Sequence, residues 1–261
     1  MTRRVAVITD AVSPDFWFPV WRKYYAAAFG AQSLVVVTYQ EQAKDFSGVE
    51  LGAVCELPAQ YSDRVRAEVI SGLVETLLET HDVVLRCDVD EFLVPDLRRF
   101  TCLADYVERL QSPHVTALGV DVFHGLDEPK INLDSPILAE QRHFGVLNSA
   151  LNKTAITRRP LVWGAGFHGA NVAPRFDDLF LFHLKWADLD MRCAWTQSME
   201  AQVAQRSTEA AYFARRLEDM QQERRSMCER PVIADGWGVL DDPLRREPFL
   251  ASVRTGPGGI Q

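Results

Sequence analysis

The chain reads as an α/β protein, a mostly parallel sheet flanked by helices with a helical extension toward its C-terminal end. Two observations predict this. Short β-branched apolar runs alternate with segments of helical period through the first hundred residues, at the spacing of βαβ units. The composition is that of a globular chain: 261 residues, 47% hydrophobic and 25% charged.

The elements follow in order. Val5 to Thr9 is a buried-strand run closed by Asp10. Pro14 to Ala31 carries Phe16, Trp17, Phe18, Val20, Trp21, Tyr24, Tyr25 and Phe29, an apolar helix closed by Gly30. Leu34 to Tyr39 is β-branched and short, a central strand. Val49 to Leu57 is a third, ended by Pro58. Ser62 or Asp63 caps the clearest helix, whose stripe is Val65, Val69, Ile70, Leu73, Val74, Leu77 and Leu78. Asp82 to Pro95 is an apolar strand that runs into the acidic residues Asp88, Asp90 and Glu91. Leu103 to Leu110 reads as helix, Val115 to Phe123 as strand, and 124–150 as loop-rich. Ala155 to Trp163 reads as a strand before the flexible Gly164-Ala165-Gly166-Phe167-His168-Gly169, and Leu179 to Trp186 as another. Residues 190–229 are helical by composition, and the Pro- and Gly-rich tail from Pro231 reads as an irregular wrap or a partly mobile end. The expected organisation is one domain over 1–190, with a nucleotide-binding half (1–100) and an acceptor half (101–190), and an extension over 191–261.

Composition also excludes. A net charge of −8 argues against general nucleic-acid binding, which wants a basic face. No stretch approaches the roughly 18 apolar residues of a membrane helix. The basic lead Arg3-Arg4 is followed by only four apolar residues, too few for a signal peptide. Five cysteines, none spaced C-x-x-C, suit reduced thiols. The expected setting is therefore cytoplasmic, with peripheral membrane contact open through the charged helix around 207–228.

The chemistry concentrates at Asp88-Val89-Asp90. At a strand-to-turn junction two carboxylates can swing toward one hard divalent cation, Mn²⁺ or Mg²⁺, which prefers oxygen ligands and leaves positions for substrate phosphates. The chain holds 20 Asp, so one or two D-x-D triplets arise by chance, and Asp188-Leu189-Asp190 is a second. The strand ahead of Asp88 and the Glu91-Phe92-Leu93 behind Asp90 set the first apart. The second reads as a helix N-cap and its neighbour.

Val84-Leu85-Arg86-Cys87-Asp88-Val89-Asp90-Glu91-Phe92-Leu93 resembles the D-x-D-E-F segment of family-2-like nucleotide-sugar glycosyltransferases of the GT-A (Rossmann-like) fold. The resemblance implies transfer of a sugar from a UDP- or GDP-sugar to a hydroxyl of a glycan, lipid or protein. It implies that Asp88 meets the ribose or the metal and that Asp90 binds the metal, with His183 as a further metal ligand. It also places nucleotide contacts near Arg64 and Arg66, and a base near Asp177-Asp178.

Each remaining residue keeps a plain alternative. His183 is otherwise a core histidine. Lys185, two residues on, reaches the diphosphate or is a solvated lysine. His168 in its glycine-rich loop binds acceptor, contacts phosphate, acts as base or is a turn residue, with Trp163 as a sugar-stacking face. Asp178 is the base or a loop residue. Arg66, at a helix start, meets the nucleotide or forms a surface ion pair. Asp10, ending the first strand, holds base or ribose. Two other functions share the acidic strand end: a metal-dependent nucleotidyl or phosphoryl transferase, and an inactive sugar- or nucleotide-binding module.

Overall fold

The computed structural model describes residues 2–39, 42–57, 62–202, 217–229, 232–233 and 250–254. The chain divides into two compact units, one of 1–117 with 153–179 and one of 118–152 with 180–261. The strands β6 (His114–Phe123) and β9 (Phe176–Trp186) each run from one unit into the other.

The first unit is built on parallel strands. β1 (Val5–Asp10) pairs with β2 (Leu34–Tyr39) on one side and β4 (Val83–Arg86) on the other, and β2 pairs with β3 (Ala53–Leu57), giving the order β3-β2-β1-β4. β8 (Lys153–Thr157) adds to β4 antiparallel. β8 is shorter than the expected run to Trp163, because Arg158-Arg159-Pro160 follows and proline has no N–H for the ladder. The register sets Ile8 beside Arg86 and Asp10 beside Val37, so Asp10 and Asp88 come at the carboxyl ends of neighbouring strands.

Both sheet faces are covered. α2 (Asp63–Leu77) starts at Ser62, whose Oγ accepts the Val65 N–H, and lays Ala67, Ile70 and Val74 on Ala6, Ile8, Val35, Val37 and Val84. The even-numbered side chains of β1 share a face because strand side chains alternate. α1 (Phe18–Phe29) carries buried Phe18, Trp21 and Tyr25. It ends at Gly30 with φ +84°, a conformation only glycine adopts without strain. Tyr25 accepts the Leu93 N–H and donates to the Glu91 carbonyl, tying α1 to β5 (Glu91–Pro95). α3 (Leu103–Arg109) matches the expected helix.

The second unit contains the 118–123 part of β6, α4 (Ile137–Glu140), β7 (Phe144–Asn148), the end of β9, α5 (Leu189–Gln202), α6 (Leu217–Cys228), β10 (Val232–Ile233) and β11 (Leu250–Arg254). β7 pairs antiparallel with β6 and β11, and β11 pairs parallel with β10. Two expectations are corrected here. The loop-rich 124–150 holds strand β7, and the irregular tail holds β11; both are short strands whose partners lie far along the chain. The stretch 203–216 of the expected helical region lies outside the described residues. Phe123, Val146, Trp186, Leu189, Met220 and Met227 form this unit's core.

Candidate functional site

Strand order creates the site before any side chain does. The chain leaves β1 toward β2 on one side, and β4 returns on the other. The carboxyl ends of β1 and β4 therefore flank a topological switch point, where ligands of open α/β sheets bind. Asp10 and the Arg86-Cys87-Asp88 segment stand there.

The site is an ion network laid over a buried floor. Arg86 is 1% exposed, and its Nη2 donates to Asp10 Oδ1 at 2.8 Å and to Asp88 Oδ1 at 2.5 Å. Arg66, from the first turn of α2, donates to Asp10 Oδ2 at 2.5 Å and pairs with Asp63. Lys153, the first residue of β8, donates from Nζ to Asp88 Oδ2 at 2.7 Å and to Glu91 Oε1 at 2.6 Å. Glu91 Oε2 in turn accepts the Asp88 N–H at 2.9 Å, and the Glu91 N–H reaches the Asp88 carbonyl at 3.0 Å. The D-x-D-E segment is thus a tight turn closed by its own glutamate.

Exposure divides the network. Asp88 (26%) and Asp10 (16%) reach solvent, whereas Lys153 (5%) and Glu91 (1%) do not. Burial alone would raise the Asp88 pKa, but Arg86, Lys153 and Arg66 hold it well below the usual carboxylate range. Burial likewise disfavours the Lys153 charge, and Asp88 and Glu91 more than offset it, so its pKa rises.

Phe167 completes the floor. Its ring lies 3.2 Å from the Arg86 guanidinium and 5.6 Å from that of Arg66, and it is itself buried. Its φ is +62°, a left-handed backbone that bulky residues rarely adopt, held by the loop of 164–169. The following residue, His168, is exposed. Trp163 is not a stacking face: it is buried in the core with its indole N–H donated to the Thr154 carbonyl.

Of the expected residues, the structure therefore brings together Asp10, Arg66 and Asp88. Arg64 points elsewhere, exposed and beside Glu68. Asp90 follows Asp88 in the turn, half-buried. Asp178 is the third residue of β9, beside the end of β5: its carbonyl accepts the Asp96 N–H and its carboxylate pairs with Arg99 at 2.9 Å. Asp177 accepts the Tyr106 hydroxyl.

His183 and Lys185 belong to the second unit. His183 Nδ1 lies 2.5 Å from Asp121 Oδ1, and Asp121 also accepts from Asn148. The Lys185 ammonium lies 5.6 Å from the Trp195 ring. The second D-x-D is a cap, as expected: Asp188 Oδ1 accepts the Met191 N–H in the first turn of α5, and Asp190 pairs with Lys130.

Sequence reasoning passed over Arg86, Glu91, Lys153 and Phe167. The signal for the first and third was present. A lone basic residue inside an apolar strand run, as in Val83-Val84-Leu85-Arg86-Cys87 or Lys153-Thr154-Ala155-Ile156, stays buried only with a partner.

Fold and site together define an α/β protein with a charged side-chain cluster at a topological switch point. No protein-family profile matches the chain, and no curated protein sequence matches it. A solved structure titled mannose-1-phosphate geranyltransferase, from Thermus thermophilus, is similar at TM-score 0.34 and 10% identity, over 86% of this chain and 68% of that one. Among the described residues no helix is long and apolar enough to cross a membrane, and no group of three or more His, Cys, Asp or Glu is placed to hold a metal ion.

Proposed function

We propose that the chain is a transferase that takes a nucleotide-diphosphate sugar at the carboxyl ends of β1 and β4 and passes the sugar to a hydroxyl acceptor of a glycan, lipid or protein. The observation that carries this reading is the pairing of Asp10 and Asp88, both solvent-reaching, across the switch point on a floor of buried cations. The D-x-D-E-F resemblance supports the sugar-nucleotide class.

Asp10 holds the ribose or base, with Arg66 fixing its carboxylate. Asp88, with Asp90, would hold Mn²⁺ or Mg²⁺, hard ions that take carboxylate oxygens. Each Asp88 oxygen accepts one hydrogen bond and retains a further lone pair. Magnesium asks for only one or two protein carboxylates when substrate phosphates supply the rest. When bound, the ion would neutralise charge on the departing diphosphate. Of the two expected bases, His168 is the one that adjoins the cluster, because it follows Phe167, whose ring lies against the Arg86 guanidinium.

A thermal-shift screen of UDP, GDP, CDP and TDP with and without Mn²⁺ tests this. One nucleotide at a hundredfold excess over its Kd should add about 2.7 kcal/mol and raise Tm by roughly 5–10 °C. With the matching nucleotide sugar, Asp90→Ala should abolish turnover while leaving Tm within about 2 °C, since a turn carboxylate contributes little to stability. No shift with any of the four nucleotides, or full turnover in Asp90→Ala, refutes the reading. Release of pyrophosphate instead of nucleoside diphosphate would assign the site to nucleotidyl transfer.

A further inference from the structure

We propose that Lys153 is a positioning residue for Asp88: a fixed, buried ammonium that holds the Asp88 carboxylate in the orientation in which it meets the donor. The inference rests on the functional reading above for the purpose of that orientation, and on geometry alone for its existence.

Three observations support it. Lys153 is 5% exposed and its Nζ touches two carboxylates, Asp88 Oδ2 at 2.7 Å and Glu91 Oε1 at 2.6 Å. Burying an ammonium is costly and is tolerated only where partners are fully engaged. Glu91 is at 1% exposure and supplies both the second partner and the acceptor for the Asp88 N–H. The lysine also comes from a different element from its partners. β8 pairs antiparallel with β4 through Leu85↔Ile156, so the lysine is anchored by a sheet ladder and not by the turn it holds. Arg86 contacts the other oxygen, Oδ1. The carboxylate of Asp88 is therefore gripped at both oxygens by side chains from two neighbouring strands, which fixes the plane of the group as well as its position. Glu91 serves as the base on which the lysine sits, a use for the glutamate of the D-x-D-E segment that requires no contact with substrate.

The obvious variant, Lys153→Met, would leave Glu91 buried without its cation, so the test uses the charge-balanced pair. Glu91→Gln keeps one of the two acceptor oxygens, for Lys153 or for the Asp88 N–H, and leaves the ammonium on Asp88; Lys153→Met with Glu91→Gln removes the ammonium without leaving a bare charge. Crystal structures of the full chain in the three forms, wild type, single and double, read the Asp88 side chain directly. It should keep its place in Glu91→Gln and turn away from the former Nζ position in the double variant. A second readout is Mn²⁺ alone, titrated by electron paramagnetic resonance. The double variant should bind it about tenfold more weakly than Glu91→Gln, the scale of losing an outer partner of a ligating carboxylate. An Asp88 carboxylate unmoved in the double variant overturns the proposal. A wild type that binds neither Mn²⁺ nor nucleotide overturns the functional reading instead, while the crystallographic comparison still decides the role of Lys153.

Discussion

Replacing Arg86 by methionine puts the ion network to a quantitative test. The guanidinium is 1% exposed and contributes charge-assisted hydrogen bonds to Asp10 and Asp88, each of a kind worth about 1.5–3 kcal/mol. Three features pull the net cost toward the low end. Asp10 and Asp88 reach solvent and can rehydrate. Each retains a second cation, Arg66 and Lys153 respectively. Arg86 Nε and Nη1 are buried without a hydrogen-bond partner among the described residues, a desolvation cost that the substitution removes. The expected loss is about 3 kcal/mol, the lower end for breaking a buried pair, which corresponds to a fall in Tm of roughly 6–12 °C for a chain of this size.

The pH dependence of that deficit follows from the sign of the Asp88 shift. Its carboxyl is held below its unfolded value, so its contribution to stability is present above about pH 4 and is lost as pH falls through the lower folded value. Removing Arg86 raises the folded value toward the unfolded one. The wild-type advantage should therefore be full at pH 7 and narrow below about pH 4, as both proteins protonate Asp88. Calorimetry or thermal melts of both proteins across that range measure it. A Tm at pH 7 within about 2 °C of wild type, or a deficit undiminished at low pH, would refute the assignment of Asp88 to Arg86.

Two further substitutions probe the scaffold. Ser62→Ala deletes the oxygen that accepts the Val65 N–H at the start of α2 and should cost about 1 kcal/mol, a drop of roughly 3 °C in Tm; an unchanged melt would remove the cap from the account of α2. Gly119→Ala would set a Cβ 2.5 Å from the Leu151 Cβ and 2.6 Å from its carbonyl carbon. Backbone must then shift, at about 2 kcal/mol, visible as a lower urea midpoint with unchanged slope. A midpoint equal to wild type would show that the β6 and 149–151 segments are not packed as described.

Much of the first unit was legible because its elements carry their own signal. β1, β2 and β4 are apolar runs buried on both faces, and α2 has a serine cap and a single apolar stripe. The acidic end of β4 was legible for the same reason, since a strand that runs into Asp88 and Asp90 announces where burial stops. β7 and β11 were not, because a five-residue strand containing Gly145 becomes a strand only when long-range partners complete its ladder. Lys153 was missed as a site residue because its partners are 65 and 62 positions away and no local pattern links them. Trp163 looked available beside its glycines, yet it packs into the core because Thr154 satisfies its indole N–H.

The amino-acid order alone determined that β1 and β4 are central strands with carboxylates at their carboxyl ends, because hydrophobic period and the abrupt change to acidic residues are local properties. Only the tertiary structure decided that these ends are neighbours across a switch point. It alone decided, too, that Arg66, Arg86 and Lys153, from three different elements, converge beneath them, the two arginines against the ring of Phe167. The physical reason is that burying an ion pair demands several partners at once, and strand pairing assembles those partners from positions that sequence spacing does not connect.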